Sequence, residues 1–187
     1  RYRSHGIVRD KNFFIDNSHG IDEKGEKKPW YYEISEISLN FRASEINCAL
    51  GLSQLLKLEK FINRRKEIAN YYEKLLRPLS PIIKPIKKVK DCNSSWHLYP
   101  ILIDFESLGF NKEKFMKQLS KSGINTQVHY IPLHIQPYWK DYYLDLDLNF
   151  EGANAYYHKC LSLPIYPSLV NEDIERIVEE ISKKINK

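Results

Sequence analysis

Apolar residues in the stretch 45–77 recur mostly at spacings of three and four: Ile46, Leu50, Leu55, Leu58, Phe61, Ile62, Ile68, Tyr72 and Leu75. That period predicts one face of a helix. No proline interrupts the stretch, Ser44 stands where an N-cap belongs, and Glu45 follows it into the positive end of the dipole. Pro78 stops the pattern. A single helix of this length would run roughly 50 Å, too long for one compact domain. A bend or break is therefore expected, at Gly51 or in the polar run 63–67.

The flanking segments switch period. Residues 11–29 are polar and rich in Gly, Asn, Asp and Lys, which predicts a loop or inserted excursion. Residues 30–41 alternate roughly by two around Ile34 and Ile37, which suits a short strand or extended segment. Residues 96–104 (WHLYPILID) predict a strand that Pro100 demotes to an edge or a bulge. Residues 112–122 predict a helix capped by Asn111 and ended by Gly123; 124–134 predict a strand, 151–159 a helix and 160–167 a short buried strand. A last helix opens at a capping Asn171 and carries the stripe Ile174, Ile177, Val178, Ile181. The expected architecture is α+β: a three-stranded antiparallel sheet with helices on one face.

Composition narrows the class more than the function. Of 187 residues, 42% are hydrophobic and 28% charged, with 13 Tyr, 8 Phe and 3 Trp, which excludes a disordered chain. No apolar run approaches a membrane span and no secretory pattern is visible. Three scattered cysteines, Cys48, Cys92 and Cys160, exclude a disulfide scaffold and lead to the expectation of a reducing, cytoplasmic setting. The chain opens on Arg1, and its one methionine is Met116. The expectation is that it forms the C-terminal part of a longer polypeptide. The net charge is +5. The densest basic stretch, 84–90, has four lysines and no aromatic. It reads as a solvated loop or an edge strand whose lysines blunt pairing, with an anionic ligand as the next reading and no nucleic acid expected.

Candidate chemistry is sparse. No Cys-x-x-Cys, His-Glu-x-x-His, Gly-x-Ser-x-Gly or glycine-rich phosphate loop occurs, and His129 and His134, five apart, make a poor metal pair. Asn40 and Arg42 stand just before the long helical stretch. They could stabilise the turn there and carry a solvated charge. They could also add amide and guanidinium donors to a helix N-terminus, a ready site for a phosphate. His129 and Tyr130 end a predicted strand before Pro132, where pockets form; a core histidine bonded to backbone is the alternative.

In order along the chain, RSHGIVRD, the stretch from PWYYEISEISLNFRASEINCALGLSQLL to NYYEKLL, then SSWHLYPILI, GINTQVHYIPLHIQPYW and LSLPIYPSL resemble the DegT-type sugar-nucleotide aminotransferases. The look is nearest to members serving pseudaminic acid synthesis. The resemblance implies the pyridoxal-phosphate aspartate aminotransferase fold of type I. Residues 1–42 would be the tail of a large domain and a dimer-bridging segment, 43–78 a long connecting helix, and 79–187 the C-terminal small domain. It implies pyridoxal 5'-phosphate as cofactor, bound mainly by residues outside this chain. The lysine that forms the Schiff base lies upstream of the segment matching Ser4-His5-Gly6, and no lysine here matches it. It implies a nucleotide-sugar substrate, an amino-acid donor such as glutamate, and a homodimer without membrane or nucleic-acid partners. Asn40 matches the asparagine that reaches the cofactor phosphate of the other subunit; Arg42, His129 and Tyr130 match the sugar-nucleotide side of the cleft. His5 carries over as motif alone. Ser38-Leu39 depart from the family's usual glycine-aromatic pair, which bears on how Asn40 is aimed. The competing reading is a non-catalytic dimerisation or sugar-nucleotide-binding module.

Overall fold

A computed structural model describes residues 1–143 and 150–185. The chain forms two compact units, Arg1–Leu56 and Lys57–Lys187.

The first unit is held by backbone pairing more than by a core. Strand β1 (Ile7–Val8) pairs antiparallel with β2 (Glu33–Ile34), Ile7 opposite Ile34 and Val8 opposite Glu33. The excursion between them is pinned by Glu33, whose carboxylate accepts the N–H groups of Ile15 and Asp16 at 2.6 and 3.1 Å. Phe14 meets Tyr31 edge to face at 5.1 Å. Val8 is the one large hydrophobic side chain described as buried in this unit. Helix α1 (Glu45–Leu55) is capped as expected, Ser44 Oγ accepting from the Asn47 N–H, yet it buries none of its residues.

The predicted long helix is two helices. Helix α1 ends at Leu55 and α2 (Leu58–Leu76) begins the second unit. The break falls at Leu56–Lys57, not at Gly51 or in 63–67. No glycine or proline stands there; the chain passes from one compact unit to the other at that point, and α2 buries Ile68, Ala69, Tyr72 and Leu76 in the second.

The second unit carries the core. Its sheet runs β3 (Ile83–Pro85), β4 (Tyr99–Ile103), β5 (Cys160–Leu163), antiparallel throughout. The sheet is three-stranded and antiparallel as expected, but its membership differs. Residues 124–134 add only the bridge Gln127 opposite Ser162, and the third strand is Ile83–Pro85, where the lysine-rich stretch begins. Strand β4 is central, not an edge. Pro100 is tolerated because its partner Ser162 gives both its N–H and its C=O to Gln127 on the far side. The N–H that proline lacks would point the other way, one residue past Ile101, where β3 has already ended at Pro85.

Tyr99, Ile101 and Ile103 line one face of β4 and are buried with Ile68, Tyr72 and Leu76 of α2. Helix α3 (Lys112–Lys121) adds Phe115 and Leu119. Asn111 caps α3, accepting from the Lys114 N–H at 2.9 Å. Gly123 (φ +74°) lets the chain reverse, with its N–H on Ser120 O and the Ile124 N–H on Leu119 O. Helices α4 (Pro137–Tyr143) and α5 (Glu151–Lys159) precede β5. Helix α6 (Asn171–Ile185) closes the core with the expected stripe Ile174, Ile177, Val178 and Ile181. Asn171 does not cap it: it is already helical, and its Oδ1 accepts from Arg64 at 3.4 Å.

One ion cluster ties α6 to the end of α3. Glu180 receives Lys184 at 2.9 Å, Lys183 at 3.1 Å and the Ser122 hydroxyl at 2.7 Å. The Lys184 hydrogen bond, then Ser122 and Lys183, hold its carboxyl well down, from 4.5 to about 2. A depressed carboxylate stabilises the fold above its unfolded value and loses that contribution as pH falls through its folded value. Glu180→Gln is therefore expected to lower the melting temperature at pH 7, with the gap to wild type closing between pH 4.5 and about 2. A gap that stays constant down to pH 2 in thermal melts would remove the charge from the explanation.

Candidate functional site

In the first unit, Asn40 is set by pairing with the chain start. Ser4 bridges Asn40, the His5 N–H donates to Leu39 O at 3.0 Å, and the Phe41 N–H donates to Arg3 O at 2.9 Å. Gly6 makes this possible: a Cβ there would sit 2.1 Å from Glu36 O, and its φ is +69°. The Ser38 hydroxyl, where the family pattern departs, donates to Tyr2 O at 2.6 Å and takes part in the same pairing.

Asn40 Oδ1 accepts both the backbone N–H and the Nε–H of Arg42, at 3.2 and 3.1 Å. The structure thus brings these two residues together. The contact satisfies the amide oxygen and turns the two Nδ2 hydrogens away from Arg42. Both side chains are exposed, five and three residues before Glu45, the first residue of α1. An amide NH2 and a guanidinium fork beside it are donors only, the chemistry that fits a phosphate.

In the second unit, His129 Nδ1 lies 2.8 Å from Ser162 Oγ. Tyr130 meets the His129 ring edge-on at 4.7 Å and is 70% exposed. His129 is thus neither fully buried nor free: Ser162 holds one ring nitrogen, which leaves Nε2 and the Tyr130 hydroxyl as polar groups for a ligand. Ser162, 5% exposed, was not singled out from the sequence. Its signal was a hydroxyl inside the apolar run Cys160-Leu161-Ser162-Leu163, all buried. His134 has its own partner, Asn154 Oδ1 at 2.9 Å, and stacks on Phe150 at 4.4 Å.

The sequence matches the DegT/DnrJ/EryC1/StrS aminotransferase family over residues 7–182. The chain belongs to that family. It is 34% identical over 190 residues to a Campylobacter jejuni UDP-4-amino-4,6-dideoxy-N-acetyl-beta-L-altrosamine transaminase, covering 95% of this chain and 48% of the relative. Among solved structures it is similar to Helicobacter pylori PseC, an aminotransferase involved in the biosynthesis of pseudoaminic acid, with TM-score 0.77 and 30% identity over 99% of this chain and 44% of that one. The sugar aminotransferase Spr1654 of Streptococcus pneumoniae, in its PLP-form, matches with TM-score 0.74 and 25% identity over 99% of this chain and 42% of that one. The chain spans less than half the length of each. The fold is the α+β arrangement of this family, with its three-stranded antiparallel sheet, as the resemblance implied. Among the described residues, no helix is long and apolar enough to cross a membrane.

Proposed function

We propose that this chain supplies the phosphate-gripping and sugar-facing parts of a pyridoxal-phosphate-dependent sugar-nucleotide aminotransferase. The reaction would move an amino group from an amino acid such as glutamate to a UDP-linked keto-deoxy sugar. The observation that carries this reading is the Asn40–Arg42 pair, a donor set with its amide oxygen already satisfied, in a chain of this family.

Pyridoxal phosphate, when bound, supplies the electron-withdrawing ring through which the amino group passes. Asn40 Nδ2 would donate to its phosphate, and Arg42 would hold the aim of Asn40 while offering its outer nitrogens to a pyrophosphate. His129 Nε2 and Tyr130 would face the sugar nucleotide, with Ser162 keeping the imidazole from rotating. No lysine of this chain is assigned to the cofactor.

The domain reading remains a proposal: 1–42 as the tail of a large domain, 43–78 as a connecting helical segment divided at Leu56–Lys57, 79–187 as small domain. A homodimer and a cytoplasmic setting belong to the same reading. Support for further polypeptide over the first unit comes from its surface. Ile37, Leu39 and Phe41 stand exposed, and on α1 so do Ile46, 81% exposed, and Leu50. Large apolar side chains exposed in such number within one small unit are what a covering surface would bury.

In the complete protein, Asn40→Ala is expected to weaken retention of pyridoxal phosphate on the order of tenfold, the loss of one hydrogen bond to a charged group. Dialysis followed by cofactor absorbance measures it. Retention equal to wild type would overturn the phosphate role. For the reaction, glutamate-dependent amination of a UDP-linked keto sugar is expected; failure with every such sugar would leave the family fold without this activity.

A further inference from the structure

Strand β5 is buried along its whole length, but its two faces differ. Leu161 and Leu163 belong to the core shared with α2 and α6. Side chains alternate across a strand, so Cys160 and Ser162 stand on the other face. There Pro100 of β4 is opposite Ser162, and its side chain offers no polar atom. Cys160, on the same face, has its Sγ turned to Tyr157 O at 3.7 Å.

A buried hydroxyl has one hydrogen to place, and leaving it without an acceptor away from water is costly. The backbone of Ser162 is already engaged: its N–H donates to Gln127 O at 2.8 Å, and its C=O accepts the Gln127 N–H at 3.2 Å. Among the described residues the hydroxyl has one partner, His129 Nδ1 at 2.8 Å. The ring can meet it in two ways. With hydrogen on Nδ1, the ring donates to Oγ and the hydroxyl hydrogen is left without an acceptor. With Nδ1 bare, the hydroxyl donates into its lone pair and neither group is stranded. The second arrangement is the one that balances. The neutral ring then carries its hydrogen on Nε2, a nitrogen with no partner among the described residues. His129 is only half-buried, so this N–H is open to a ligand. Turning the ring over would break the Ser162 bond and strand the hydroxyl again.

We propose that Ser162 is a positioning residue that fixes His129 as the Nε2–H tautomer, so that His129 meets its ligand as a hydrogen-bond donor to an oxygen and not as a base. The tautomer follows from the contacts of this chain. The ligand half rests on the reading of His129 as sugar-facing, and there the oxygen belongs to a UDP-linked sugar.

The test takes the complete protein with isotope-labelled histidine and nitrogen NMR, at a pH well above the ordinary imidazole value of about 6.5. A protonated and a bare ring nitrogen resonate apart, and the His129 signals are identified by their loss in His129→Gln. Wild type is expected to show hydrogen on Nε2 and a hydrogen-bonded, bare Nδ1. Ser162→Ala should move the Nδ1 signal and mix the tautomers, while Ser162→Thr, which keeps the hydroxyl, should restore the wild-type pattern. Hydrogen on Nδ1 in wild type, or one spectrum shared by wild type and Ser162→Ala, overturns the proposal. The second readout is calorimetric titration with UDP-N-acetylglucosamine. His129→Ala should raise the Kd about tenfold, the scale of one hydrogen bond. His129→Gln, whose amide N–H reaches the position of Nε2, should recover most of that loss; His129→Asn, whose amide falls at the position of Nδ1, should not. Equal recovery by His129→Asn overturns the donor role. Binding that is the same in wild type and His129→Ala overturns the ligand half together with the sugar-facing reading, while the spectrum decides the tautomer by itself.

Discussion

Gly6→Ala is expected to strip the complete protein of pyridoxal phosphate more severely than removal of the Asn40 side chain itself. The new Cβ would lie 2.1 Å from Glu36 O and 3.1 Å from Glu36 C, both backbone atoms. No rotamer relieves that, so the 33–41 segment must move away. It carries the Ser35 N–H bond to Gly6 O at 3.4 Å, the Leu39 acceptor of His5, and the Ser4–Asn40 bridge. A left-handed alanine costs about 1 kcal/mol, and each broken backbone hydrogen bond about another. With two of these bonds lost the total is about 3 kcal/mol, which corresponds to roughly a hundredfold in retention if it falls on the Asn40 position. Gly25→Ala is the control. Its φ is +82°, but nothing lies within 4 Å of the added methyl, so it pays only the local backbone cost. Cofactor absorbance after dialysis compares the two. Equal retention in Gly6→Ala and wild type would show that this turn does not aim Asn40.

Arg65→Met is expected to destabilise the second unit by about 3 kcal/mol in urea unfolding, because two part-buried carbonyls, Trp96 O and Ile165 O, lose their donor while His97 O turns to water. The guanidinium ties α2 to two loops about thirty and one hundred residues further on. Methionine keeps the aliphatic contact and removes only the donors, so the loss reports hydrogen bonding and not packing. Arg65→Lys should recover a minor part, since one ammonium does not span three acceptors spread in a fan. A loss below about 1 kcal/mol, the scale of one ordinary surface hydrogen bond, would mean the loops are held by other contacts.

What could be read along the chain was what short-range physics decides. Helix α3 shows this best. Its cap Asn111 and its stop Gly123 are both within one turn of the bonds they make. The stripe of α6 followed from period alone. Strand membership did not. Residues 124–134 have strand composition but contribute one bridge, while the three-residue Ile83–Pro85, too short to show a period, pairs fully with β4. Pro100 looked like an edge marker because the sequence does not say which way a backbone nitrogen faces; the far-side pairing of Ser162 with Gln127 decides that.

The site shows the same division. Residue types and order alone pointed to Asn40, Arg42, His129 and Tyr130, and to the family. The partners that give those side chains their direction, Arg42 for Asn40 and Ser162 for His129, were not legible in the same way. Asn40 and Arg42 are two residues apart, and only the turned backbone brings Nε to Oδ1. His129 and Ser162 are 33 residues apart and meet because the Gln127 bridge lays one chain against the other. By itself, then, the order of amino acids determined the helical stretches around α1 to α3, α5 and α6, the two ends of α3 and the kind of chemistry available, since each depends on neighbours a few residues away. Which strands pair, where the long helix divides and which way each polar group points were decided only when distant segments competed for the same buried surface and the same hydrogen bonds.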